Sequence, residues 1–149
     1  MTPCPDCGAP IAEGGTCRAL FDQLLAHEYA FPKAFGEVHH LTVAAYSLQH
    51  PRGYSHDAIR MWRVMVDESL EGISTPEDFL VRARLQFSGE VRVRQPGSEP
   101  PEGWPHRWPV TVADVVVPEN EPGDAESHID RVRQWAGSIR ATLDEALPL

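Results

Sequence analysis

The sequence predicts a mainly α fold, a bundle of about five helices with a cysteine-bearing N-terminal cap and a short β or irregular excursion around residues 90–117. Three observations carry this expectation. Between residues 17 and 87, and again after 125, most apolar residues recur at helical spacing. The run QPGSEPPEGWPHRWP at 95–109 is turn-rich and too long to be a tight connection. All three cysteines fall in the opening MTPCPDCGAPIAEGGTC. A chain of 149 residues fits a single domain, 1–149, whose core needs no disulfide, with segment 1–17 packed on the bundle.

Each element follows from local pattern. Ala19, Leu20, Phe21, Leu24 and Leu25 share helical spacing, Thr16 is placed to cap, and Pro32 stops the run, which gives a first helix over about 17–30. In AFGEVHHLTVAAYSLQHP, Val38, Leu41, Ala45 and Leu48 form the stripe of a second helix closed by Pro51, apolar enough to be the centre of the core. Ser55 opens a third, with Ile59, Trp62, Val66 and Leu70 on one face and Gly72 as its stop. Thr75-Pro76-Glu77-Asp78 supplies a cap, a first-turn proline and first-turn acids for a fourth, over about 76–87.

Glu90-Val91-Arg92-Val93-Arg94 alternates with period two, as a short half-buried strand does. VTVADVVV reads two ways: its β-branched residues favour a strand, while Thr111 and Asp114 have the spacing of a capping box on a short helix. From 125 to 146, Ile129, Val132, Trp135 or Ala136, Ile139 and Leu143 mark a long amphipathic helix. Trp62 and Trp135, at helical spacing, belong to the core. Trp104 and Trp108 sit in the proline-rich run, where they either pack or line a pocket.

Composition narrows the function classes. Twenty-two acidic against 13 basic residues leave a net charge of −9, which disfavours nucleic acid and anionic membrane surfaces as partners. The N-terminus lacks the basic and apolar regions of a secretory signal, and the longest uncharged stretch, 41–49, is too short to span a bilayer. A soluble, cytoplasmic protein is expected. No GxSxG, HExxH, Walker or GxGxxG pattern occurs, which removes the best-known hydrolase, metalloprotease, phosphate-loop and dinucleotide readings.

In a reducing compartment an odd number of cysteines argues against a structural disulfide. Cys4-Pro5-Asp6-Cys7-Gly8 instead has the form of a zinc knuckle: two intervening residues let both sulfurs face one ion, and the glycine permits the tight turn. A redox pair would open a helix after a strand in an α/β chain, unlike this Pro/Gly-rich terminus. Cys17, at the start of the first helix, is placed to be a third thiolate where the helix dipole favours negative charge. Three soft ligands point to Zn2+, which takes four in a closed structural site.

The fourth ligand is sought in the second helix. His39 and His50 are eleven residues apart, which returns them to nearly the same face but separates them by about 16 Å along the axis. At zinc–nitrogen distances of about 2 Å, only one can join the cysteines. His40 points about 100° away, toward solvent or a neighbouring helix. The preference falls on His39, because His50 ends the helix, where donating to a carbonyl or balancing the dipole is a sufficient structural role. His27 and Glu28 remain further alternatives. Asp114 and His128, on either side of a Pro/Gly-bearing loop, are the weak candidates for acid/base groups, able to converge with whichever histidine the zinc leaves over. Their plainer reading is a turn cap and a first-turn helix residue.

CPDCGA, the cysteine opening the next helix, FDQLLAHEYA, VHHLTVAAYSLQHP, WPVTVADV and SHIDRVRQWAGSIRATL together resemble the small bacterial proteins grouped as domain of unknown function 5946. The resemblance spans nearly the whole chain. It implies no activity, and it supports Cys4, Cys7, Cys17, His39 and His50 as a set without assigning the ligands among them. The leading expectation is therefore a small zinc-binding protein whose metal is structural. A metal-dependent hydrolase or lyase with an open His-containing site is the second reading, and an interaction module built on the proline-rich run is the third; small-molecule or protein partners stay unnamed.

Overall fold

A computed structural model describes residues 2–85, 93–116 and 125–147, with backbone alone at 82–85 and 125. It is mainly helical. A two-stranded antiparallel hairpin, β1 (Thr2–Pro3) and β2 (Pro10–Ile11), precedes α1 (Cys17–Ala30), α2 (Pro32–Phe35), α3 (His39–Gln49), α4 (His56–Leu70), α5 (Pro76–Leu85), α6 (Val112–Val115) and α7 (Ala125–Ala146). The five long helices lie where the apolar periodicity places them. The short α2 is the addition: Pro32 ends α1 but also occupies the first helical position of the next turn, where a missing N–H costs nothing.

The caps are those that the sequence offers. Thr16 accepts from the Ala19 amide at 3.0 Å and Ser55 from the Ala58 amide at 3.1 Å, each satisfying a helix N-terminal donor. Within VTVADVVV, residues 112–115 are helical: Thr111 and Asp114 form the capping box, with the Asp114 carboxylate 2.8 Å from the Thr111 amide. Of the expected strand at 90–94, residues 90–92 lie outside the described residues, as does the end of the fourth helix at 86–87. Arg94 forms an isolated antiparallel bridge to Tyr54.

The interior is built around α3. Leu41, Thr42, Ala44, Ala45, Tyr46, Ser47, Leu48 and Gln49 are all buried, because α3 packs on both α4 and α7, which also pack on each other. Val132, Trp135, Ala136, Ile139 and Leu143 supply the face of α7. Trp62 and Trp135 are core residues, as expected.

Two polar side chains, Gln49 and Trp104, tie this core together. Gln49, with no exposure, accepts from Trp135 Nε1 at 3.1 Å and donates to the Val110 carbonyl at 2.7 Å. Trp104 donates to the Leu48 carbonyl at 2.9 Å, so the proline-rich run lies over the C-terminal end of α3, with Trp108 buried beside it. Replacing Gln49 by Leu strands an indole N–H and a carbonyl in the interior. The expected cost is about 2–4 kcal/mol, read as a lower denaturant midpoint with unchanged slope.

Candidate metal centre

Three separate pieces of chain converge on one point. In the hairpin turn, the Cys4 amide donates to the Ala9 carbonyl and the Gly8 amide to the Cys4 carbonyl, both at 2.8 Å. Gly8 has φ of 82°, a left-handed turn conformation that glycine adopts without strain, and a Cβ there would sit 3.7 Å from the backbone of Arg107. The turn directs Cys4 and Cys7 inward, and the Ala9 amide points at Cys7 Sγ at 3.4 Å. Cys17 is the first residue of α1, and its Sγ lies 3.6 Å from that of Cys7. All three thiols are free and buried.

His50 completes the group from the C-terminal end of α3. Its Nδ1 lies 2.8 Å from the Tyr46 carbonyl, and since a carbonyl only accepts, Nδ1 carries the proton. Nε2 faces the sulfurs, 3.6 Å from Cys4 Sγ, and in the neutral ring it offers its lone pair there. The ring stacks on Tyr46 at 4.0 Å, and Tyr46 in turn stacks on Phe21 of α1 at 3.9 Å, which fixes the imidazole plane.

The ligand atoms of Cys4, Cys7, Cys17 and His50 all lie within 4.8 Å of one another. A tetrahedron with metal–sulfur bonds of about 2.3 Å has edges of about 3.8 Å, so the two 3.6 Å contacts have the length of tetrahedron edges. These four residues can hold a metal ion. Among the described residues no other set of three or more Cys, His, Asp or Glu gathers its ligand atoms so closely. The electrostatics ask for a cation. The hydrogen bond from Cys17 pulls the Cys7 thiol down to about 4 against the opposing effect of burial, with His50 and the Ala9 amide helping. The same hydrogen bond and burial push Cys17 up. Two buried sulfurs thus share one proton.

Of the two histidines, His50 and not the expected His39 lies with the three cysteines. His39 begins α3 and His50 ends it, and the hairpin and the start of α1 both lie at the His50 end. Carbonyl donation and metal ligation are also not alternatives for His50, because its two ring nitrogens can do one each.

Over residues 2–144 the chain matches the model of a family of unknown function (DUF5946). It belongs to this family. No curated protein and no solved structure is significantly similar to the chain. The DUF5946 match takes in all four members of the cluster, and also a second group of polar residues at the far end of α1 and α3.

That second group centres on Glu28, 2% exposed. Its Oε1 lies 2.9 Å from His39 Nδ1; its Oε2 lies 2.7 Å from His128 Nε2 and accepts from Thr42 Oγ1 at 2.6 Å. Burial raises the Glu28 pKa, but hydrogen bonds from His128, His39 and Thr42 outweigh it and leave the carboxyl below its ordinary value. An ionised carboxylate only accepts, so both imidazoles donate to it. His27 packs its ring 5.5 Å from His128, and burial lowers its pKa.

His128 therefore does converge with the histidine left over, whereas Asp114 does not join them, its carboxylate being used in the capping box. His40 turns to a neighbouring helix, 3.0 Å from Ser69 Oγ and stacked on Phe79, and burial lowers it to about 4. Sequence reasoning missed the role of Glu28, yet a signal existed. Phe21, Leu24 and Glu28 share the buried face of α1, and a carboxylate on an apolar stripe needs a partner.

Because folding lowers the Glu28 pKa, its contribution to stability is present above the unfolded carboxyl range and is lost as pH falls through the folded value. Glu28→Ala is expected to cost about 3–5 kcal/mol at neutral pH by denaturant unfolding. The gap between wild type and variant should narrow in acid.

Proposed function

We propose that this protein binds zinc through Cys4, Cys7, Cys17 and His50, and that the ion is structural, fastening the N-terminal segment to a helical bundle that folds as a single unit. The observation that carries this reading is the closed donor set: four protein ligands, three sulfur and one nitrogen, held close together from three pieces of chain. Catalytic zinc keeps a position open for water or substrate, whereas structural zinc takes four protein ligands. The sulfur-rich set favours zinc over the hard cations magnesium and calcium. Three free thiols suit a reducing, cytoplasmic setting. The net charge of −9 speaks against a nucleic-acid partner.

Residues 1–17 contribute few large apolar side chains, so metal binding, more than hydrophobic burial, would order this segment, and its binding energy would appear as folding energy. Protein purified without added metal is expected to contain a single zinc per chain, with an X-ray absorption spectrum fitted by three sulfurs and one nitrogen. Chelation should lower the thermal midpoint and expose the first seventeen residues to limited proteolysis. Metal-free protein, or an unchanged proteolytic pattern after chelation, would overturn the reading.

Variants separate the two histidines. His50→Ala should weaken zinc binding by more than about tenfold, the lower end of what even outer partners of a ligand contribute. His39→Ala should leave zinc content and affinity unchanged, as measured by competition with a chromogenic chelator.

A further inference from the structure

The Glu28 group has no part in the zinc reading, and its hydrogen bonds orient one partly exposed imidazole. Glu28 holds the Nδ1 side of His39 at 2.9 Å, and the His39 side chain is 31% exposed although its partner is buried. No hydrogen bond to His39 Nε2 occurs among the described residues. With the proton on Nδ1 directed at a carboxylate, a neutral His39 presents a bare lone pair at Nε2. The ring of Tyr29, itself exposed, stands 4.9 Å from that of His39 and forms one wall beside it.

The rest of the cluster keeps the carboxylate in place. His128 and Thr42 both engage Oε2, which leaves Oε1 for His39 and prevents the carboxylate from rotating. The charged and titratable groups around it are His27 on α1, His40 on α3, and Arg131 and Arg133 on α7, with Arg133 paired to Glu37. The imidazole nitrogens of His39 and His128 approach opposite oxygens of one carboxylate and do not meet the ligand-atom spacing found at the cysteine cluster. The arrangement is therefore a hydrogen-bonded array and not a second ion cage.

We propose that His39 is a general base, positioned by Glu28, that takes a proton at Nε2 from water or from the hydroxyl of a small ligand docked beside Tyr29. In the hydrolytic case a water O–H bond breaks and its proton passes to Nε2. The electron pair stays on oxygen, which bonds to the carbonyl carbon of an ester. The imidazolium formed is balanced by the Glu28 carboxylate; the ester acyl C–O bond then breaks, its electron pair leaves on the alkoxide oxygen, and that oxygen takes the Nε2 proton. His39 is the catalytic residue; Glu28 is a positioning residue that acts through it.

Two measurements on the full chain test this independently of zinc. Imidazole-nitrogen NMR of the wild-type protein at neutral pH is expected to show His39 as the Nδ1–H tautomer with Nε2 unprotonated. A neutral Nε2–H tautomer would overturn the proposal, whatever the metal content. Hydrolysis of para-nitrophenyl acetate should be severalfold faster with wild type than with His39→Gln, and equal rates would also overturn it. The NMR arm needs no variant, so it can overturn the proposal even where His39→Gln fails to fold.

Discussion

The antiparallel pairing of α1 with α3, pinned by polar groups at each end, is the constraint on which the rest of the structure depends. Cys17 at the start of α1 meets His50 at the end of α3, through Cys7 and Cys4. Glu28 near the end of α1 meets His39 at the start of α3. Between these points the stack of Phe21 on Tyr46 fills the interface. Once α3 is fixed against α1, its remaining faces are free to bury α4 and α7, and the core follows.

The two ends use opposite electrostatics for the same task. At one, the lowered Cys7 thiol sits among buried sulfurs placed to share a cation. At the other, a single buried carboxylate is surrounded by donors from α3 and α7. Either group would be costly in an apolar interior if left unpaired. Each is tolerated because partners arrive from separate elements, and it therefore also specifies which elements must meet.

Much of the fold was legible because amphipathic spacing, proline and capping residues are local signals. Cys17–Ala30 and Ala125–Ala146 could be read directly from periodicity and punctuation. VTVADVVV was ambiguous because β-branched residues and a capping box pull in opposite directions, and the box, once closed, decided it. The CPDCG knuckle was legible as ligand chemistry. The choice between His39 and His50 was not, because it depends on which end of α3 faces the hairpin, a matter of chain direction that periodicity does not encode. The meeting of Glu28 with His128 spans 100 residues, and no local pattern reports it.

Cys17, Glu28, His39 and His50 follow one another along the chain at steps of eleven residues. Eleven residues make about three turns, so within each helix the paired positions return to the same face. The lengths of both helices are thereby locked. One residue inserted between Cys17 and Glu28, or between His39 and His50, would turn the far member by about 100° and shift it by about 1.5 Å. Residue count along the inner turns of α1 and α3 is thus constrained in addition to the side chains that pack there. Changes of chain length are therefore better accommodated in the connections outside these two spans.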